Sequence, residues 1–598
     1  RTAARALINA GRAEVRLGRA DAALAALDAA EGELDASGAA GDDASILDRL
    51  TIAAVALEAA QKWPDRLERA YDAVRRASTA ADGAGARDRS WALGLEGELY
   101  AAAGREEEAL TLYRRAALAA EAAAAPEVLY RWQWRVGRIL AGRGQTEEAI
   151  AAYRSAAANL DTVRLDLPAF DPQTGRSLFR ETLGPVFTEL ADLLLERADG
   201  EAASRPGESR ESAQADLIEA RGTVERLKTI ELEDYFRDDC AADLSARVRP
   251  IDQPEPGTAV LYPVLLEDRT ELVVSLPDGS LTSASSDAGS SRITLLAQQL
   301  RAAIDGADGT LGDFAPPARA LYDELIRPIE PALLAQNVQT LVFIPDGVLR
   351  NIPLSVLLDG DTFLVQRFAV ATGIGLSLLD TSPIQRDNLN ILVAGLSEER
   401  QDVPIGPGRT ETFDALPGVE TELRALESAV APEVELMNAG FTAEALREEL
   451  TETPFNVVHL ATHGWFTGDP DYSFVLAYDE PLKMNELEEI IGISRFRDQP
   501  IELLTLSACQ TAAGDDRSAL GLAGVAVKVG ARSAFATLWN IADESTVEVV
   551  TSFYDNLVQP GVNKAEALRR AQLELIASGG QLAHPYFWSP YLIIGNWL

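Results

Sequence analysis

Two short stretches hold the residue types that can do covalent chemistry. "NVVHLATHGWF", residues 456–466, contains His459 and His463, two of the chain's three histidines. "LLTLSACQTAAG", residues 503–514, contains Cys509, one of its two cysteines. Each stretch is led by an apolar, β-type run, so each reads as a buried strand ending at its reactive residue. Adjacent parallel strands lie about 4.8 Å apart, and loops leaving neighbouring strand ends can bring an imidazole to a thiol. A free thiol has a pKa near ~8.5 and is mostly protonated at neutral pH. A nearby His can take that proton and later donate one to a leaving amine. The pattern predicts Cys509 as nucleophile and His463 as base. Gly464 allows close backbone approach, and its N–H with that of Cys509 could hold a developing oxyanion.

His459 and His463 also form H-x3-H, which on a helix places two imidazoles on one face. On a strand, four residues span roughly 13 Å, too far to share one ion. No further His or Cys lies close by in the sequence. No metal and no cofactor is expected, and His459 reads as a hydrogen-bonded structural histidine beneath the site. Cys240 follows a helix, has no recognisable partner and reads as an inert thiol. His584 precedes Pro585 and reads as packing beside the last strand.

The elements that must position these residues form an alternating series. From residue 389 onward, "NLNILVAGL", "EVELMNAG", "FNVVHLATHG", "IELLTLSACQ" and "ARSAFATLWNI" read as strands. "VETELRALESAV", "TAEALREELTE" and "GLAGVAVKVG" read as the helices between them. Helices near 543–558 and 563–577 and a last strand, "PYLIIGNW", follow. Near-continuous apolar strands alternating with helices imply a mostly parallel sheet covered on both faces. Upstream, "TAVLYPVLL", "ELVVSLPDGSLTS" with its Asp-Gly turn, and "TLVFIPDG" are strand signals, while "SASSDAGSS" reads as a loop.

The first 165 residues repeat. Gly97, Tyr100, Gly104, Ala109, Tyr113 and Ala116 recur as Gly137, Leu140, Gly144, Ala149, Tyr153 and Ala156. Gly11, Gly18, Ala23, Leu27 and Ala30 form a looser copy, and "QKWPDRLERAYDAVRRA" a degenerate one. A spacing of about 40 residues fits helix-turn-helix repeats. Small residues let paired helices approach, the aromatic fills the gap, and the Gly-polar turn reverses the chain. The expected organisation is TPR-like helical repeats over 1–165, a helical adaptor capping the array over 166–248, a β-containing lead-in subdomain over 249–388 and a catalytic α/β domain over 389–598. The opening "RTAARALINAGRAEVRLG" is already helical in pattern, so the chain reads as a fragment with more repeats upstream.

Composition bounds the function classes. A net charge of −39 argues against nonspecific binding to nucleic acid or an anionic membrane. No apolar run is long enough to span a bilayer. Two cysteines cannot make a disulfide framework and suit a reducing cytoplasm.

Together the motifs resemble the CHAT domain, a caspase-like cysteine peptidase domain usually joined to tetratricopeptide (TPR) repeats. "VVHLATHGWF" is similar to the family's catalytic histidine motif and "LSACQTAAG" to its nucleophile motif. "IPDGVLRNIPLSVLLDG", "LPGVETEL", "GARSAFATLWNIAD" and "HPYFWSPYLIIG" support the match, and "ELEDYFRDDC" resembles the helix that leads into the domain. The resemblance implies an α-solenoid followed by a caspase-like α/β fold, proteolysis by a Cys509–His463 dyad, and a role in bacterial defence or regulated cell death. Several caspase relatives that cut after basic residues carry an acid two positions before the nucleophile, where this chain has Ser507. Ser507, Asp469, Asp471, Asp515 and Asp516 are the pocket candidates. The expected partners are a protein substrate and a protein partner or activator on the repeats, whose binding would gate the site. The alternative is a TPR scaffold carrying an inactive caspase-like domain, and a ligase or transpeptidase would use the same thioester chemistry.

Overall fold

The computed structural model describes residues 2–37, 42–163, 183–204, 210–236, 254–305, 311–379, 382–384, 389–467, 469–492, 500–511, 516–539 and 543–598. For residues 201–204, 210, 311–313, 508–511, 516–520, 523, 527, 543 and 544 it describes the backbone. The chain divides into two compact units, residues 1–197 and 198–598.

Among the described residues before 164, the first unit has eight α-helices: α1 (Thr2–Arg16), α2 (Ala20–Ala36), α3 (Asp43–Lys62), α4 (Leu67–Ala81), α5 (Ala86–Ala102), α6 (Glu106–Ala122), α7 (Pro126–Gly142) and α8 (Thr146–Val163). Consecutive helices pack as hairpins. A Cβ on Gly97 or Gly137 would sit 2.7 Å from the ring of Tyr113 or Tyr153, so the tyrosine fits only against glycine. Gly104 and Gly144 turn the chain with φ of +72° and +69°. The next residue's N–H returns into the helix just ended, from Arg105 to Tyr100 O at 2.9 Å and from Gln145 to Leu140 O at 3.0 Å. These are Schellman ends. The degenerate copy lacks such a glycine, and its turn is the short 3-10 segment Pro64–Arg66. Trp132 fills the centre, stacked on Tyr113, edge-on to Trp91 and donating to Ser90 Oγ at 3.1 Å. The repeats are TPR-like in construction.

The second unit is built on one sheet. Its strands in chain order are β1 (Thr258–Leu265), β2 (Thr270–Ser275), β3 (Leu281–Ser286), β4 (Thr340–Phe343), the ribbon β5 (Leu358–Asp359) with β6 (Thr362–Phe363), β7 (Ala369–Thr372), β8 (Ile391–Gly395), the ribbon β9 (Arg400–Gly406) with β10 (Arg409–Phe413), β11 (Val434–Met437), β12 (Val457–Phe466), β13 (Phe474–Leu476), β14 (Pro481–Lys483), β15 (Leu503–Thr511), β16 (Ser533–Thr537) and β17 (Tyr591–Gly595). The order across the main sheet is β11-β8-β12-β15-β16-β17-β7-β4-β1-β2-β3. From β11 to β16 all pairs are parallel. β17 is antiparallel to β16 but parallel to β7, which leads into the parallel run β7-β4-β1. The sheet is thus two parallel halves of opposite direction, and β1–β4 and β7, upstream of residue 373, belong to the same sheet as β8, β11, β12 and β15–β17 downstream. The expected loop "SASSDAGSS" differs: Ser283–Ser286 lie in β3, and a helix begins at Ser290. The edge of β2 recruits this polar run by backbone pairing from Thr270–Ser286 to Ser275–Leu281, which needs no apolar side chain.

Helix α9 (Gly184–Ser204) precedes α10 (Arg210–Phe236). The carboxyl half of α10, read from sequence as adaptor, is buried in the second unit, polar residues included. Lys228, Glu231 and Glu225 each have a partner. Lys228 Nζ meets Asp346 at 2.6 Å, Glu231 pairs with Arg350, and Glu225 accepts the N–H groups of Leu376 and Ser377 at 2.8 and 3.0 Å. Gln214 bonds both the N–H and C=O of Leu281, as a strand neighbour would.

Candidate active site

The chain leaves β8 toward β11 on one side, and β12 leads to β15 on the other. The carboxyl ends of β8 and β12 therefore form a topological switch point, the place where open α/β sheets open a crevice. His463 lies on β12 at that point, one residue before Gly464. Gly464 is the register partner of Cys509 on the adjacent parallel strand β15. Both strands run slightly past the expected ends, to Phe466 and Thr511.

The pairing of β12 with β15 slips between Leu460 and His463: Leu460 faces Leu506, and His463 faces Ala508. Three steps on one strand against two on the other is a bulge of one residue, and a slip of one moves later side chains to the other face. His463 therefore leaves the face used by His459. The residue is 7% exposed, and its ring centroid lies 5.1 Å from that of Phe413, at the end of ribbon strand β10. Its Nε2 is 2.8 Å from the carbonyl oxygen of Asp414. A carbonyl can only accept, so Nε2 carries the proton and Nδ1 is the basic nitrogen.

His459 is fully buried, as expected of a structural histidine. Its Nε2 meets Glu422 Oε1 at 2.9 Å and its Nδ1 meets Tyr554 OH at 3.2 Å, which in turn meets Thr505 Oγ1 at 2.8 Å. With a neutral imidazole whose Nε2–H is donated to Glu422, the other directions follow: Tyr554 donates to Nδ1 and Thr505 donates to Tyr554. Burial raises the Tyr554 pKa and keeps the phenol protonated for that role. No cluster of three or more metal-ligating side chains exists among the described residues.

Ser507 Oγ is buried on β15 without a hydrogen-bond partner among the described residues. Asp469 caps a turn after β12, accepting the N–H of Asp471 at 3.1 Å, and Asp471 is exposed. Asp515 and Cys240 lie outside the described residues, and for Asp516 and Cys509 only the backbone is described. His584 caps the turn Pro585–Trp588 by accepting the Tyr586 N–H, and its ring meets Phe314 edge-on. Residues that sequence reasoning missed act by means any residue type could hide. Asp414 contributes only its carbonyl, and Glu422 stood inside the quoted stretch "LPGVETEL" with no role assigned.

Residues 315–596 match the family model described as CHAT domain. Among solved structures, the chain is similar to the TPR-like repeats of a putative kinesin light chain from Podosopora anserina. That match has 15% identity over 37% of this chain and 95% of that one, with a TM-score of 0.26. BtubC (BKLC) from P. vanneervenii is similar at 17% identity over 38% of this chain and 88% of that one, with a TM-score of 0.25. No curated protein matches the chain. The chain therefore carries a CHAT domain, of a caspase-like family, over residues 315–596, with TPR-like helical repeats ahead of it in sequence.

Proposed function

We propose that the second unit is a cysteine endopeptidase with Cys509 as nucleophile and His463 as general base. The observation that carries this reading is the register of Gly464 with Cys509 on adjacent parallel strands at the switch point, with His463 one residue before. In the proposed reaction the Cys509 thiol proton passes to His463 Nδ1, and the sulfur forms a bond to the scissile carbonyl carbon. The N–H groups of Gly464 and Cys509 hold the oxyanion. His463 then gives its proton to the departing amine, the C–N bond breaks, and a thioester remains. Water attacks the thioester while His463 takes its proton. The C–S bond breaks, releasing the acid and restoring the thiol. The repeat unit recruits a protein partner, since stacked helical hairpins offer an extended surface.

The test is labelling of the full chain with a cysteine-directed electrophile, read by mass spectrometry, beside His463→Ala. The expected result is a fast adduct on the Cys509 peptide of the wild type, and a rate lowered by about 10²–10⁴-fold without the base. Equal rates on the two proteins would overturn the dyad.

A further inference from the structure

Helix α10 reaches the chain on both sides of the proposed dyad. Tyr235 is fully buried, and its hydroxyl donates to Thr467 O at 2.8 Å and lies 3.1 Å from Ser473 Oγ. Thr467 and Ser473 bracket the turn joining β12 to β13. Ser473 Oγ also accepts the Thr467 N–H at 3.0 Å, and Thr467 Oγ1 donates to Asp469 O at 2.8 Å. That turn closes a hairpin in which Gly464 pairs with Val475 and Trp465 with Phe474. The inner strand of the hairpin is the same backbone that pairs Gly464 with Cys509, Trp465 with Gln510 and Phe466 with Thr511.

The same face of α10 meets the helix Asp516–Val529, which follows β15. A Cβ on Gly521 would sit 2.2 Å from the Tyr235 hydroxyl, and one on Gly524 would sit 2.6 Å from Leu232 and 2.7 Å from Phe236. The two glycines let α10 lie directly on that helix. One turn of α10 thus fixes the segment after His463 and abuts the helix after Cys509.

We infer that Tyr235 is a positioning residue for the dyad: its hydroxyl pins the β12–β13 turn and so sets the height of His463 and Gly464 against Cys509. Tyr235 lies outside residues 315–596, so the catalytic machinery extends upstream of the matched domain. The inference rests on the Cys509–His463 reading.

The experiment uses the full chain and Tyr235→Phe, which keeps the ring against Gly521 and removes only the hydroxyl. Alkylation of Cys509 by iodoacetamide is followed across pH by mass spectrometry, with thermal unfolding measured alongside. The wild type is expected to alkylate with a midpoint below the ~8.5 of a free thiol. In Tyr235→Phe the midpoint should move toward that value, and turnover of a cleavable peptide should fall in kcat more than in KM, by up to about 10²-fold. Ser473→Ala removes the other side of the same contact and should shift the midpoint the same way, so the test survives if Tyr235→Phe folds poorly. A low wild-type midpoint that neither variant moves overturns this inference alone. A wild-type midpoint at the free-thiol value overturns the dyad and the inference with it.

Discussion

His459 and His463 share a strand yet face different neighbours, and the predicted consequences of losing them differ accordingly. Cys509→Ala and His463→Ala should each abolish peptide cleavage while circular dichroism stays unchanged, and Cys240→Ala should keep most activity. Wild-type turnover by Cys509→Ala would sink the assignment. Glu422→Ala, by contrast, strips the buried His459 Nε2–H of its acceptor. Leaving that buried donor unpaired costs about 1–3 kcal/mol, read as a lower denaturation midpoint. His584 gives a pH signature. Burial lowers its pKa, so the folded state holds it neutral while the unfolded state binds the proton more readily. Stability on this account is complete above the unfolded value of ~6.5 and falls as pH drops below it. His584→Asn keeps a capping acceptor and should flatten that slope in thermal melts from about pH 7.5 to 5. As for the substrate, Ser507 offers no charge, so we expect no strong demand for a basic P1 residue. A preference for Arg above ~100-fold in a peptide library would point to a carboxylate such as Asp469 instead.

At the scale of single elements, two glycines in helices separate packing from backbone freedom. Gly32 lies within α2 with nothing near its missing Cβ, whereas Gly137 in α7 would drive a Cβ into Tyr153. Gly32→Ala should raise the stability of the repeat unit by about 0.5–1 kcal/mol, and Gly137→Ala should lower it by about 1–3 kcal/mol. Denaturant melts of the full chain, followed by far-ultraviolet circular dichroism, would read both signs. The contact of Gly137 with Tyr153 was legible beforehand because a close helix pair leaves a local mark: Gly97, Gly137, Tyr113 and Tyr153 recur at fixed spacing. The strands bearing His463 and Cys509 were legible for the same reason, through their apolar runs. The bulge between Leu460 and His463 was not, since it exists only relative to β15. Nor was the reversal at β17: "YLIIG" carries the same apolar pattern whether its neighbour runs with it or against it. The polar run in β3 was hidden because backbone pairing to β2, without apolar side chains, is what recruits it.

On the scale of the whole molecule, the buried half of α10 decides where the second unit can begin. A chain starting at Thr258 lacks α10 and leaves Asp346 and Arg350 without their buried partners Lys228 and Glu231. We expect it to be insoluble or molten, and a chain starting at Ala198 to unfold in one cooperative transition. Equal melts for the two would show that α10 is dispensable. The place of β17 has a further consequence, for synthesis. Its residues, Tyr591–Gly595, lie between β16 and β7, so the half-sheet from residues 258–372 cannot join the half from 391–537 until they have been made. Non-local pairings of this kind form slowly and leave open strand edges meanwhile. The nascent chain therefore carries both Cys509 and His463 before it has a continuous sheet to hold them. On the proposed reading, the last strand of that sheet delays peptidase activity until the domain has left the ribosome.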